Sequence, residues 1–185
     1  MAERRELIAD AGIALIAEQG LRALTHRAID ARLALPAGST SYYFRTRREL
    51  ITAIAERLST RTLGDIASAP LPAGLDARQA ARAIAALLDT MAARPDDHLA
   101  RFALLVDLRD DDELHRMLSD ASPVRSQLLT AATAVLDSVG VADPAEHAPD
   151  VVVVVDGLLF DRVAGGARAD AAATLEAYLT GLPRA

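Results

Sequence analysis

The chain has 185 residues, 51% hydrophobic yet only 3% aromatic, and its 40 Ala carry the difference, a composition that favours helix. With no Cys, disulfide scaffolds, Cys-based zinc sites and thiol catalysis are excluded, and no apolar run approaches the roughly 20 residues of a membrane span. The net charge of −6 divides unevenly, with ten Arg against seven acids up to Leu63 and ten Arg against nineteen acids from Gly64 onward, so a chain that coats nucleic acid along its whole length is excluded while a small nucleic-acid module joined to something else is not.

A first helix is predicted over residues 3–19, with Leu7, Ile8, Ala11 and Leu15 on its buried face. Its opening mixes Glu, Arg and Asp with apolar positions and is no secretory signal, and Gly20 supplies its stop. Thr25 is placed to N-cap a short second helix, through residue 33, that turns Ile29 and Leu33 inward. Residues 34–38, Ala-Leu-Pro-Ala-Gly, form a tight turn with Pro36 at or just before the next helix start. A third short helix is expected over 37–44. A fourth is expected over 46–67, with Leu50, Ile54, Leu58 and Ile66 on one face.

Residues 69–74 are a Pro/Gly-rich connector. Beyond it, helices are predicted over 76–94, 96–108, 112–119, 123–139, 144–164 and 170–180, each opened near Asp, Ser or Pro. Residues 151–155 are five consecutive Val, which locally favours a strand. No partner strand exists, and a lone strand leaves its backbone unsatisfied. The prediction is therefore a helix apolar nearly all round, needing cover on more than one side, which a second subunit would supply.

Residues 25–44 carry the strongest signal: short helix, Pro/Gly turn, short helix, the spacing of a helix-turn-helix whose second helix enters a DNA major groove. On that second helix Ser39, Thr40, Ser41, Tyr42 and Tyr43 are consecutive hydroxyl carriers. Hydroxyls bond phosphate oxygens and base edges without bulk, and Ala37 and Gly38 keep the helix start thin. Arg45, Arg47 and Arg48 follow at once. Taken singly, a Tyr here also suits a half-buried core and a Ser/Thr run suits a turn. Two Tyr and three Arg within seven positions, in a chain with six aromatics, favour a DNA-facing surface.

The run LIADAGIALIAEQGLRALTHRAIDARLALPAGSTSYYFRTRRELITAIAERL resembles the N-terminal domain of the tetracycline-repressor (TetR) family of transcriptional regulators, over about the first 60 residues. That pattern is a helix, Gly, a Thr opening the next helix, a Gly-Thr-Leu-Tyr-x-His-Phe recognition helix, then Ser-Lys opening a long helix. The resemblance implies that Thr25 and Arg27 contact DNA and that Ala37, Ser39, Thr40, Ser41, Tyr42 and Tyr43 make up the recognition segment. Arg47 takes the place of the family's Lys beside phosphate. Three positions depart from the pattern: Ser41 stands for Tyr, Thr40 for a core Leu, and Asp30 for a small apolar residue. The first moves the phosphate contact to Tyr42; the other two are expected to soften packing.

For the acidic half the resemblance implies a small-molecule cavity inside a helix bundle and a four-helix dimer interface built from the last two long helices. The sequence supports the interface independently, since residues 151–160 are too apolar for a free surface and Leu175, Tyr178, Leu179 and Leu182 form a second stripe. The expected interface comprises Val151, Val154, Val155, Leu158, Leu159, Leu175, Tyr178 and Leu179, with Asp156 paired to Arg162 or another Arg. The expected cavity draws on Leu87, Leu88, Met91, Phe102, Leu105, Val106, Leu128 and Val135, with His98, Arg101, Asp107 and Gln127 as polar anchors, although the same spacing suits plain core.

No nucleophile elbow, phosphate loop or HExxH is present, so no enzyme, cofactor or metal is expected. The acids at 110–113, with His115 four residues after Asp111, suit a helix start. The sequence thus predicts an all-α cytoplasmic protein with a helix-turn-helix domain over 1–46 and a helical effector and dimerisation domain over 47–185. It would be a homodimeric repressor on a pseudo-palindromic site in double-stranded DNA, released by a small hydrophobic effector. A helical interaction or ligand-carrier module without DNA binding is the alternative.

Overall fold

The computed structural model describes residues 2–69, 74–166 and 169–185. The fold is all-α. Its helices are α1 (Ala2–Gln19), α2 (His26–Arg32), α3 (Ser39–Tyr43), α4 (Arg47–Ser68), α5 (Ala77–Ala92), α6 (Pro95–Asp107), α7 (Asp112–Leu118), α8 (Pro123–Ser138), α9 (Pro144–Phe160) and α10 (Ala171–Gly181). A 3-10 turn covers Leu21–Ala23, and a π turn over Asp161–Gly165 continues α9. Each predicted helix has its counterpart, the Val run included. Of the predicted connector, residues 70–73 lie outside the described residues.

The chain forms two compact units, one running to Arg61 and taking in Pro95–Ser122, the other made of Thr62–Arg94 and Pro123–Ala185. This division falls inside α4, and it assigns α6 and α7 to the N-terminal unit. The cause is a shared core. Ala100, Leu104 and Leu108 of the α6 segment and Leu114 and Leu118 of α7 bury with Ile8, Ile13 and Ile16 of α1 and Leu50 and Ile54 of α4. Gly12 permits close approach here, because a Cβ on it would sit 2.5 Å from Ile54 Cδ1. Leu7, expected inside, is exposed; the inward face of α1 runs through Ile8, Ala11 and Leu15.

Charge braces the same helices. Arg57 of α4 meets Glu6 and Asp10 of α1, each at 2.9 Å, and Arg61 meets Asp10 and the buried Asp97 of α6, each at 2.7 Å.

In the second unit Ile84, Leu88 and Met91 of α5 bury with Val135 and Leu136 of α8, Val151, Val152, Leu158 and Leu159 of α9, and Leu175 and Leu179 of α10. Five of the eight residues expected at the interface lie inside this core. Val151, Leu158, Leu159, Leu175 and Leu179 are buried within the single chain, because α5 and α8 cover one side of α9. Val154, Val155 and Tyr178 are half-buried. Beyond Asp150 the outward positions of α9 are Val153 (62% exposed), Gly157 and Phe160 (48% exposed), spaced i, i+4, i+7. Asp156 is half-buried rather than sequestered, and Arg162 pairs with Asp89. No helix among the described residues is long and apolar enough to cross a membrane.

Candidate nucleic-acid interface

Thr25 adopts an extended backbone and its Oγ1 accepts the Ala28 amide at 3.1 Å, opening α2 as its residue type predicts. The helix closes with Leu35 N–H donating to Asp30 O (2.8 Å) and Ala34 N–H to Ala31 O (3.2 Å). That is the paired C-terminal bond pattern in which the intervening residue goes left-handed. Ala34 occupies that position at φ 51°, where Gly is the usual choice. The chain then turns through Pro36, whose carbonyl accepts both the amide (3.1 Å) and the hydroxyl (2.6 Å) of Ser39.

At five residues, α3 is far too short to persist alone. Gly38, left-handed at φ 90°, offers it no side-chain cap. Asp30 supplies the cap from α2. Its Oδ2 accepts the Gly38 amide (2.8 Å), and its Oδ1 accepts the Thr40 amide (2.8 Å) and the Thr40 hydroxyl (2.6 Å). Asp30 is 4% exposed. Burial pushes its carboxyl up, but the Thr40 hydroxyl and the Thr40 and Gly38 amides, with His26 nearby, outweigh burial and hold it below the ordinary carboxylate range.

The other end of α3 is anchored by Phe44, which is fully buried. Tyr43 O accepts from Arg5 (2.7 Å), and Phe44 O accepts from His26 Nε2, also at 2.7 Å. The Arg5 guanidinium lies 4.2 Å above the Phe44 ring.

The anchoring sorts the expected contact residues. Ala37, Ser41, Thr25 and Arg27 are exposed, and Tyr42 is 75% exposed. Tyr43 is half-buried against the core, its ring edge-on to Tyr42 at 5.2 Å. Ser39 is half-buried with its hydroxyl on Pro36 O. Thr40 has to be struck from the DNA-facing set: it is fully buried and its hydroxyl belongs to Asp30. The two departures expected to soften packing are partners of one another.

Arg47 is exposed. It donates to Leu21 O (2.6 Å) and Leu24 O (3.3 Å), tying the start of α4 to the backbone just before α2. Arg48 is held by Asp111 and Glu113, each at 2.6 Å. Arg27 and Arg45 form no ion pair among the described residues. Asp111 caps α7 through the Leu114 amide (3.2 Å); the Arg48 bond and then that amide hold its carboxyl low, so this acid serves a helix start and an arginine. Sequence reasoning missed the anchoring by Arg5 and His26, for which a single chain gives no local signal. It flagged both Asp30 and Thr40 without pairing them.

The residues expected to line an effector cavity divide between the units. Leu88 and Met91 are buried in the second, with Leu128 packed against that core. His98, Arg101, Phe102 and Leu105 belong to α6 in the first, where His98 is buried and Leu105 packs on the core. Gln127 is exposed on α8, against its expected role as an interior anchor. Val106 is 62% exposed, and neither core gathers the whole set.

Residues 8–54 match the family described as bacterial regulatory proteins, tetR family, and residues 75–185 match the family described as tetracyclin repressor-like, C-terminal domain. The chain belongs to the tetR family. It is a DNA-binding transcriptional regulator of the helix-turn-helix kind. A transcriptional regulator from Rhodococcus sp. RHA1 is similar in fold, with a TM-score of 0.78 at 20% identity over 96% of this chain and 95% of that one. The multidrug binding protein EbrR complexed with malachite green gives 0.74 at 24% identity over 99% of each chain. A protein from Saccharomonospora viridis in complex with choline gives 0.72 at 18% identity over 97% of this chain and 95% of that one. Comparison with curated proteins finds no match. In this tetR-family regulator the helix-turn-helix spans α2 and α3, the segment anchored by Asp30, Phe44, Arg5 and His26.

Proposed function

We propose that the chain acts as a homodimer whose two α3 helices enter successive major grooves of a pseudo-palindromic DNA site, and that a small, mainly hydrophobic effector releases it. The observation that carries the reading is the two-sidedness of α3: Thr40 and Phe44 are fully buried, while Ser41 and Tyr42 face out. Tyr42 and Ser41 meet base edges and phosphate, and Ala37 keeps the approach thin. The Thr25 hydroxyl accepts from Ala28 and keeps its own proton for a phosphate oxygen. Arg27 and Arg45 supply the cations, while Arg47 braces the backbone behind them.

Val153, Gly157 and Phe160 of α9 form the centre of the dimer contact, flanked by Val154, Val155 and Tyr178. Effector binding is assigned to the helical half, a reading supported by the malachite green and choline complexes of the two proteins similar in fold. Because α4 begins in one unit and ends in the other, a displacement along it would carry ligand binding to the DNA head. The ligand shifts that equilibrium only by its differential affinity for the two states. Occupying the site without effector makes the protein a repressor.

Selection from a random-sequence duplex pool tests the reading. The expected product is an inverted repeat with half-sites about 34 Å apart, bound with an affinity that falls linearly in log salt. A protein that enriches no sequence contradicts it.

A further inference from the structure

We infer that Asp30 is a positioning residue for DNA reading: its carboxylate, reaching from α2, sets where α3 stands and thereby how tightly a specific sequence is held. The inference rests on the DNA-reading function proposed above. A five-residue helix headed by a left-handed glycine has neither the length nor the cap to fix its own place. Its leading amides, Gly38 and Thr40, both find their acceptor on one carboxylate from another helix, and the Thr40 hydroxyl adds a third bond to the same group.

Three short bonds converge on a charge that is almost entirely buried. A slide or tilt of α3 that lengthens one of them strains all three, and hydrogen bonds to an ionised acceptor are the stiff, strong kind. The residues flanking Thr40 are Ser39 and Ser41, with Tyr42 next, so the register of the exposed hydroxyls is set at Asp30. Asn is no substitute for Asp here. Its amide group would bring a donor against the donating Gly38 or Thr40 group.

The test compares wild type with Asp30→Asn, Thr40→Val and Thr40→Ser, by fluorescence anisotropy on two probes: a duplex enriched by the wild type from a random pool, and a scrambled duplex of the same length. Asp30→Asn is expected to weaken the enriched duplex by about tenfold or more and to leave the scrambled duplex unchanged or slightly tighter. Removing a negative charge near phosphate, taken alone, strengthens binding to both, so the sign on the enriched duplex separates positioning from electrostatics. Thr40→Ser keeps the hydroxyl and stays within about threefold of wild type, while Thr40→Val follows Asp30→Asn with a smaller loss. Should Asp30→Asn fail to fold, Thr40→Val decides by the same pattern. Wild-type affinity in the variant that folds, or an equal loss on both duplexes, overturns the positioning role. A wild type that enriches no duplex removes the DNA-reading function, and this inference with it.

Discussion

The helices α3 and α9 are held by opposite means. α9 has 17 residues, and its hold is apolar: Val151, Val152, Leu158 and Leu159 bury in a core shared with α5 and α8. α3 has five, and its ends are fixed by groups from other elements, Asp30 at one and Phe44, Arg5 and His26 at the other. Area-driven burial tolerates small shifts and accumulates with length. Directional bonds do not accumulate, but they specify position. A helix whose outward side chains must meet a rigid partner in register is better served by the second device, and one that supports a bundle by the first.

The contrast breaks most visibly at a core leucine. Leu88→Ala opens a cavity where the side chain is fully buried and is expected to cost about 3 kcal/mol in urea unfolding; a loss below about 1 kcal/mol would mean that this core is not packed as described. A charge on the outward side of the same bundle acts on association instead. Val153→Asp should raise the dimer dissociation constant by about a hundredfold or more in sedimentation, with little change in the fold of the monomer, whereas an intact dimer would move the interface elsewhere.

In the head, the polar device makes stability depend on acid. Asp30 titrates below its unfolded value, so its contribution is fully present above the ordinary carboxylate pKa of about 3.9 and is lost as pH falls through the lower folded value. The expected size is about 2 kcal/mol. Acid unfolding of wild type against Asp30→Asn should show the difference shrinking as pH falls below about 4; a constant gap would contradict it. The smallest effect is a gain: Ala34→Gly relieves the left-handed alanine and should add about 0.5 kcal/mol in thermal unfolding.

Helix identities were legible because caps and breakers are local. Thr25, Gly20, Pro123 and Pro144 stand where a helix edge requires them, and the five Val could satisfy their backbone only as helix. Assignment to a core was not legible. The α6 segment reads as one more amphipathic helix, and nothing in it says that Ala100 and Leu104 bury beside Ile8 rather than beside Leu88. The burial of Val151, Leu158 and Leu159 within the chain was hidden for the same reason, because a helix apolar all round does not announce which side its own chain covers. At the site, exposure followed the motif for Ser41 and Tyr42, while Thr40 was hidden by a partner ten residues away that composition and period do not reveal.

Tyr42→Ala probes the outward side of α3 most directly. Tyr42 packs little and its loss leaves the unfolding temperature unchanged, while affinity for the wild-type-enriched duplex drops by about tenfold or more. Undiminished affinity in a folded Tyr42→Ala dimer would contradict the assignment of α3 as the reading helix.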